Sequence, residues 1–124
     1  NPIERLLEQK VWAVVGVSRD PNKFGYKVYK KLLGKGYTVY AINPNMTELD
    51  GRKVYASLKD LPEVPQVVNF VVPPSVTKRA VEEAIELGVR FLWMQPGSAD
   101  MTAVKSAEKA GLTVVKNQCV LRLA

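Results

Sequence analysis

Short apolar runs alternate with longer amphipathic stretches along this chain. Residues 11–17, 37–42, 64–72, 89–94 and 112–115 are dense in β-branched and aromatic side chains and have the length of strands. Between them the apolar spacing becomes helical. Residues 25–33 place Val28, Leu32 and Leu33 on one face, and residues 76–87 align Val76, Ala80, Val81, Ala84 and Leu87. Residues 102–110 predict a further helix. Residues 2–10 predict a short leading one, with Ile3, Leu6 and Leu7 on one side and Pro2 in its first turn. Ser75 suits the N-cap of the helix over 76–87, and Gly34, Gly36 and Gly88 stand where helices stop. Asn43-Pro44-Asn45 breaks the second strand. Residues 46–56 are irregular, with a turn at Asp50-Gly51 and a short extended piece over 53–55. A helical turn capped by Ser57 is expected over 57–61, and one last turn or two within 117–124.

The run over 64–72 is apolar on both faces, which fits a strand covered from both sides. Five strand-then-helix alternations call for a parallel sheet with helices on each face. Right-handed crossovers then give an α/β, Rossmann-like, doubly wound and mainly parallel five-stranded sheet. The expected strand order is 3-2-1-4-5, in one domain spanning residues 1–124. Trp12 and Trp93 lie within apolar strands and are expected in the core.

Charge and composition narrow the chemistry. The net charge of +6 suits a polyanionic partner, either nucleic acid or a phosphate-rich cofactor. Lys27, Lys30, Lys31 and Lys35 cluster on the second helix, and a solvated face explains them better than a nucleic-acid stripe. The chain has no histidine, which excludes Ser-His-Asp and Cys-His catalysis within it. A single cysteine, Cys119, excludes an internal disulfide and a multi-cysteine metal site, and no metal is expected. No apolar run approaches the ~20 residues of a membrane span, and residues 1–10 do not read as a signal peptide. A cytoplasmic protein with neither membrane nor nucleic-acid partner is expected.

The stretch over 11–26 carries the strongest chemical signal. A strand meets Gly16, opens into a polar loop of Val17, Ser18, Arg19, Asp20, Asn22 and Lys23, and enters a helix at Gly25. Strand, glycine loop and helix aim backbone N–H groups and a helix N-terminus at a phosphate. Arg19 and Lys23 add two cations to that mouth. Gly16 alone would also serve a tight turn, and Pro73-Pro74 would also serve simply to end a strand. The NAD fingerprint G-x-G-x-x-G falls on Gly16, Ser18 and Pro21, so two of its three positions fail. The acid expected after the second strand is replaced by Asn43-Pro44. No Walker-type phosphate loop occurs.

Ligands of such sheets bind beyond the carboxyl ends of the strands. Those ends are Gly16-Val17-Ser18-Arg19, Asn43-Pro44-Asn45, Val72-Pro73-Pro74-Ser75, Gln95-Pro96-Gly97-Ser98 and Asn117-Gln118-Cys119. The loop G-V-S-R-D-P-x-K-x-G, the ending I-N-P, the later V-V-P-P-S, the turn Q-P-G and the final K-N-Q-C occur in that order. In these features the whole chain resembles the CoA-binding domain family. This is the Rossmann-like domain that also forms the N-terminal part of the succinyl-CoA synthetase α-subunit and of ADP-forming acyl-CoA synthetases. The likeness is greatest to its small stand-alone members.

The resemblance implies that Gly16, Val17, Ser18, Arg19, Lys23 and Gly25 hold the phosphates of coenzyme A. Asn43 and Pro44 would border the adenosine end. Val72, Pro73 and Pro74 would wall the nucleotide and the pantetheine arm, and Gln95 and Cys119 would complete the site. Two readings of Cys119 stand side by side. It is a small buried apolar group, or it lies where the thiol of coenzyme A arrives and forms a mixed disulfide with it. The family's synthetases place their phosphorylated histidine in a second domain, so ligase chemistry is not carried over. The implied function is non-catalytic binding of coenzyme A or acyl-CoA, with a second copy of the chain or a partner enzyme subunit as the macromolecular partner. An NAD(P)-binding oxidoreductase and a fragment of an acyl-CoA synthetase are the rival readings, and a DNA-binding protein using the lysine helix is a third.

Overall fold

Side chains of the central strand alternate between two packed faces, which is what builds two cores around one sheet. In β1 (Val11–Val15), Trp12 and Val14 join one core, and Ala13 and Val15 join the other. The computed structural model describes residues 1–124. After α1 (Pro2–Leu7) and β1 come α2 (Phe24–Gly34), β2 (Thr38–Ile42), β3 (Glu48–Leu49) and β4 (Arg52–Tyr55). A 3-10 turn at Leu58–Asp60 leads to β5 (Val67–Phe70), α3 (Pro74–Leu87), β6 (Phe91–Met94), α4 (Met101–Lys109), β7 (Thr113–Lys116) and α5 (Val120–Leu123). One face carries α1, α2 and α5, and the other carries α3, α4 and the 3-10 turn.

The sheet has seven strands in the order β3-β4-β2-β1-β5-β6-β7, all parallel except the β3–β4 pair. The α/β, doubly wound and mainly parallel architecture is as the sequence predicts. The strand count and order differ. The strand expected over 64–72 does not lie outside the second strand. It is β5, and it pairs with β1, Ala13 opposite Val68. The outer edge of β2 is taken instead by β4, with Ala41 opposite Val54 and the Asn43 N–H donating to the Tyr55 carbonyl at 2.9 Å. The short piece over 53–55 reaches that edge through the Asp50-Gly51 turn, so the chain must cross back to the free side of β1.

Several boundaries also move. Val64 is exposed and lies before β5, and Val17 lies beyond β1. The Gln66 carboxamide oxygen accepts from the Lys10 and Val11 N–H groups at 2.8 and 3.0 Å, which ties the two strand entrances together. The N-cap of α3 is Pro73, not Ser75, and Pro74 opens the helix. Proline fits there because a first-turn N–H has no helical partner to lose. Asp100 caps α4 by accepting from the Ala103 N–H at 2.9 Å. Trp12 and Trp93 are fully buried with ring centroids 6.1 Å apart, as expected.

On β2, the Tyr40 hydroxyl donates to the Glu63 carboxylate, and that hydrogen bond pushes its pKa from 10.0 up to about 12. The neutral phenol is the favoured form, so this contribution to stability is complete below pH 10 and is lost as pH rises towards 12. Spectrophotometric titration of Tyr40→Phe should lack one phenol titrating near pH 12. An unchanged alkaline limb would show that the pair does not form. No helix is long and apolar enough to cross a membrane.

Candidate functional site

The strand order reverses between β1 and β5, and there the chain packs backbone against backbone. Gly16 has φ +104°, and a methyl group on it would strike the Val71 carbonyl oxygen and the Val72 side chain. Gly25, in the first turn of α2, lies against the Gly16 carbonyl, where a methyl group would collide. Only residues without a Cβ let the tips of β1 and β5 and the start of α2 converge this closely.

The loop between β1 and α2 is folded on itself. The Ser18 hydroxyl accepts from the Asp20 N–H at 3.1 Å, and the Asp20 carboxylate accepts from the Asn22 N–H at 2.9 Å. The Lys23 N–H donates to the Asp20 carbonyl at 3.0 Å. Asn43 holds the loop from the side. Its amide donates to the Val17 carbonyl at 2.9 Å, and its oxygen accepts from the Asn45 N–H at 2.8 Å. With these bonds made, the N–H groups of Ser18, Arg19, Phe24 and Gly25 have no acceptor within the chain. The N-cap of α2 is Lys23, which makes no side-chain capping bond. The partial positive charge of a helix N-terminus is therefore left uncompensated.

Ser18, Arg19, Phe24 and Gly25 all line a cavity of about 770 Å³. Eight of the sequence-predicted site residues line it: Gly16, Val17, Ser18, Arg19, Lys23, Gly25, Asn43 and Val72. Arg19 and Lys23 are exposed and form no ion pair. Asn22, expected only as part of the polar loop, also lines it, as do Phe24, Met46 and Val71, which are not among the contacts expected from sequence. Phe24 is 58% exposed, an aromatic opening α2 directly after a polar loop, and that misfit is its available signal in the sequence. The apolar wall is Val71 and Val72. Pro73 and Pro74 are exposed and line no cavity, because both are consumed in starting α3. The buried Ser98 hydroxyl accepts from the Val72 N–H at 3.1 Å and fixes that wall.

Two smaller cavities lie at the strand tips. Pro44 lines one of about 200 Å³ at the tips of β1 and β2. Gln95 and Cys119 line another of about 110 Å³, which shares Phe24 and Val71 with the main cavity. Gln95 is buried, and its oxygen accepts from the Val120 N–H at 3.0 Å and from the Asn69 amide at 3.2 Å. Its amide donates to the Cys119 Sγ at 3.4 Å. Gln95 thus positions Cys119 and leaves little of itself for a ligand. Asn117, at φ +60°, makes the tight turn that brings the half-buried thiol back over β6. Among the helix lysines, Lys30 pairs with Asp50 at 3.0 Å. Hydrogen bonds from Lys30 and then Tyr26 hold that carboxyl below its usual range.

The geometry invites comparison with known proteins. The family model described as "CoA binding domain" matches residues 10–124. The acetate–CoA ligase (ADP-forming) I of Archaeoglobus fulgidus is 31% identical across 95% of this chain, which spans only 19% of that ligase. The uncharacterized protein YneT of Bacillus subtilis is 29% identical over 94% of this chain and 87% of its own length. A solved structure described as a hypothetical protein from Pyrococcus horikoshii OT3 superposes with a TM-score of 0.92 at 40% identity, covering 96% of this chain and 84% of that one. Relatives thus include both a short protein of similar extent and a much longer ligase. Matched from Lys10 to Ala124, a span that takes in the glycine-linked strand tips and the turn at Cys119, the chain belongs to the CoA-binding domain family.

Proposed function

We propose that this chain binds coenzyme A or an acyl-CoA at the tips of β1, β2 and β5, and that it performs no ligation itself. One observation carries this reading: four residues whose backbone N–H groups have no acceptor and two unpaired cationic residues all line one preformed cavity. A pyrophosphate is the group that such a donor set satisfies, through charge-assisted hydrogen bonds. The cavity volume lies in the range of small-molecule sites. Asn43 and Pro44 border the adenosine end. Val71 and Val72 line the way to the small cavity at Cys119. The NAD reading is disfavoured, since the β2 tip offers no carboxylate and Asn43 is held by bonds to Val17 and Asn45. With no histidine, the chain lacks a group to carry the synthetases' phosphoryl transfer. A carrier, a sensor or a subunit serving a partner enzyme suits a binding module of this kind.

Isothermal calorimetry with coenzyme A tests the reading, and absence of binding at millimolar ligand would overturn it. The Cys119 part has its own test. The thiolate attacks the S–S bond of coenzyme A disulfide, a protein–CoA disulfide forms, and one coenzyme A thiolate leaves. Intact-mass spectrometry should show a single adduct that reductant removes. Cys119→Ser should lose the adduct and keep noncovalent binding. A wild-type protein that stays unmodified would leave Cys119 as a packing residue.

A further inference from the structure

We infer that Arg79 reads a phosphate monoester on the ribose of the bound nucleotide, an assignment that rests on the coenzyme A reading above. The smaller cavity at the β1 and β2 tips is lined by Val15 and Ile42, whose immediate neighbours Gly16 and Asn43 line the main cavity. The two spaces share no lining residue but lie one residue step apart at the tips of β1 and β2, so a ligand occupying both must pass over those tips. The second space is walled mainly by apolar groups of Pro44, Leu58, Val76 and Ala80, a lining suited to the flat face of a base.

Its two charged residues are Arg79 and Glu83, both from α3. Glu83 is held toward the 3-10 turn, since its carboxylate accepts from the Leu58 N–H at 2.9 Å. Arg79 stands four residues before Glu83, a spacing that commonly yields a helical ion pair, yet none forms. The structure's ion pair is Lys30–Asp50, and Arg79 is an exposed guanidinium without a partner at the rim of a pocket. In nucleotide-binding sheets of this kind, an acid at the β2 tip holds an unsubstituted ribose, and a nearby arginine accommodates a phosphorylated one. Here the tip is Asn43-Pro44-Asn45, without an acid, and α3 supplies the arginine. A guanidinium fork matches a phosphate with two parallel hydrogen bonds. The ligand class is thus an adenine nucleotide carrying a ribose phosphate. Coenzyme A and NADP both have that chemistry, on different ribose hydroxyls.

Calorimetry of wild type, Arg79→Ala and Arg79→Lys with coenzyme A, dephospho-coenzyme A, NADP and NAD separates the cases. Wild type should bind coenzyme A roughly 10- to 100-fold more tightly than its dephospho form. Arg79→Ala should erase that gap by weakening coenzyme A alone, with an unchanged melting temperature, and Arg79→Lys should keep part of it. Equal wild-type affinity for the two forms, or a gap that survives in Arg79→Ala, overturns the role of Arg79 and leaves the cofactor reading standing. A wild type that binds neither overturns both. Tighter binding of NADP than of coenzyme A, with its advantage over NAD lost in Arg79→Ala, keeps the role of Arg79 and replaces coenzyme A as the ligand.

Discussion

Gly16→Val is expected to lower the melting temperature by about 15 °C and to remove measurable affinity for coenzyme A. Two costs add. A β-branched residue at φ +104° carries backbone strain on the order of 1–3 kcal/mol. Its side chain must also displace the Val71 carbonyl and the Val72 side chain, an overpacking cost of roughly 1–3 kcal/mol. The sum, about 4 kcal/mol, is large beside the ~5–15 kcal/mol that holds a typical domain together. Binding suffers separately, because displaced tips of β1 and β5 no longer present the Ser18 and Arg19 N–H groups in one direction. Gly36→Ala is the control. It shares a positive φ, +92°, but has open space around it, so the substitution adds backbone strain without a collision and the site is untouched. Circular-dichroism melts and calorimetry read both effects. A Gly16→Val protein with native melting temperature and affinity would show that the close approach is not required.

The double variant Arg19→Ala/Lys23→Ala should bind coenzyme A about 1,000-fold more weakly while melting at the wild-type temperature. Each charge-assisted contact to phosphate contributes roughly 1–3 kcal/mol, so two contribute about 4 kcal/mol, or three decades of affinity. Stability is spared because both side chains are exposed and pair with nothing in the chain. The residual affinity should depend less steeply on salt than that of wild type, since two screened attractions are gone. Unaltered calorimetric affinity would place the phosphates elsewhere.

The sequence makes the mouth between β1 and α2 legible because its features are local. Gly16, Ser18, Arg19, Lys23 and Gly25 fall within ten residues, and the strand–loop–helix pattern orients them without knowledge of the rest of the sheet. What depends on distant pairing was harder to see. The three-residue extended piece at Lys53–Tyr55 has too little periodicity to declare itself a strand, yet it occupies the edge of β2 and decides where β5 goes. Gln95 reads as a ligand contact in a turn motif, and only the fold reveals that it is buried between Asn69 and Val120. Pro73 and Pro74 look like a wall in sequence. In space they turn outward with the start of α3 and leave Val71 and Val72 to face the cavity. Phe24 carries no polar or charged group that would mark it as a contact in the sequence, yet it is exposed beside Lys27, whose ammonium lies 5.7 Å from the ring centroid.

The self-bonded loop between β1 and α2 has an energetic consequence. Ser18, Asp20 and Lys23 already fix its backbone, so a ligand meets a rigid receptor and little ordering entropy is surrendered on association. The ligand-free protein should accordingly keep its full fold through cycles of loading and unloading. Added cofactor should raise its melting point only by mass action, in step with the logarithm of free ligand concentration.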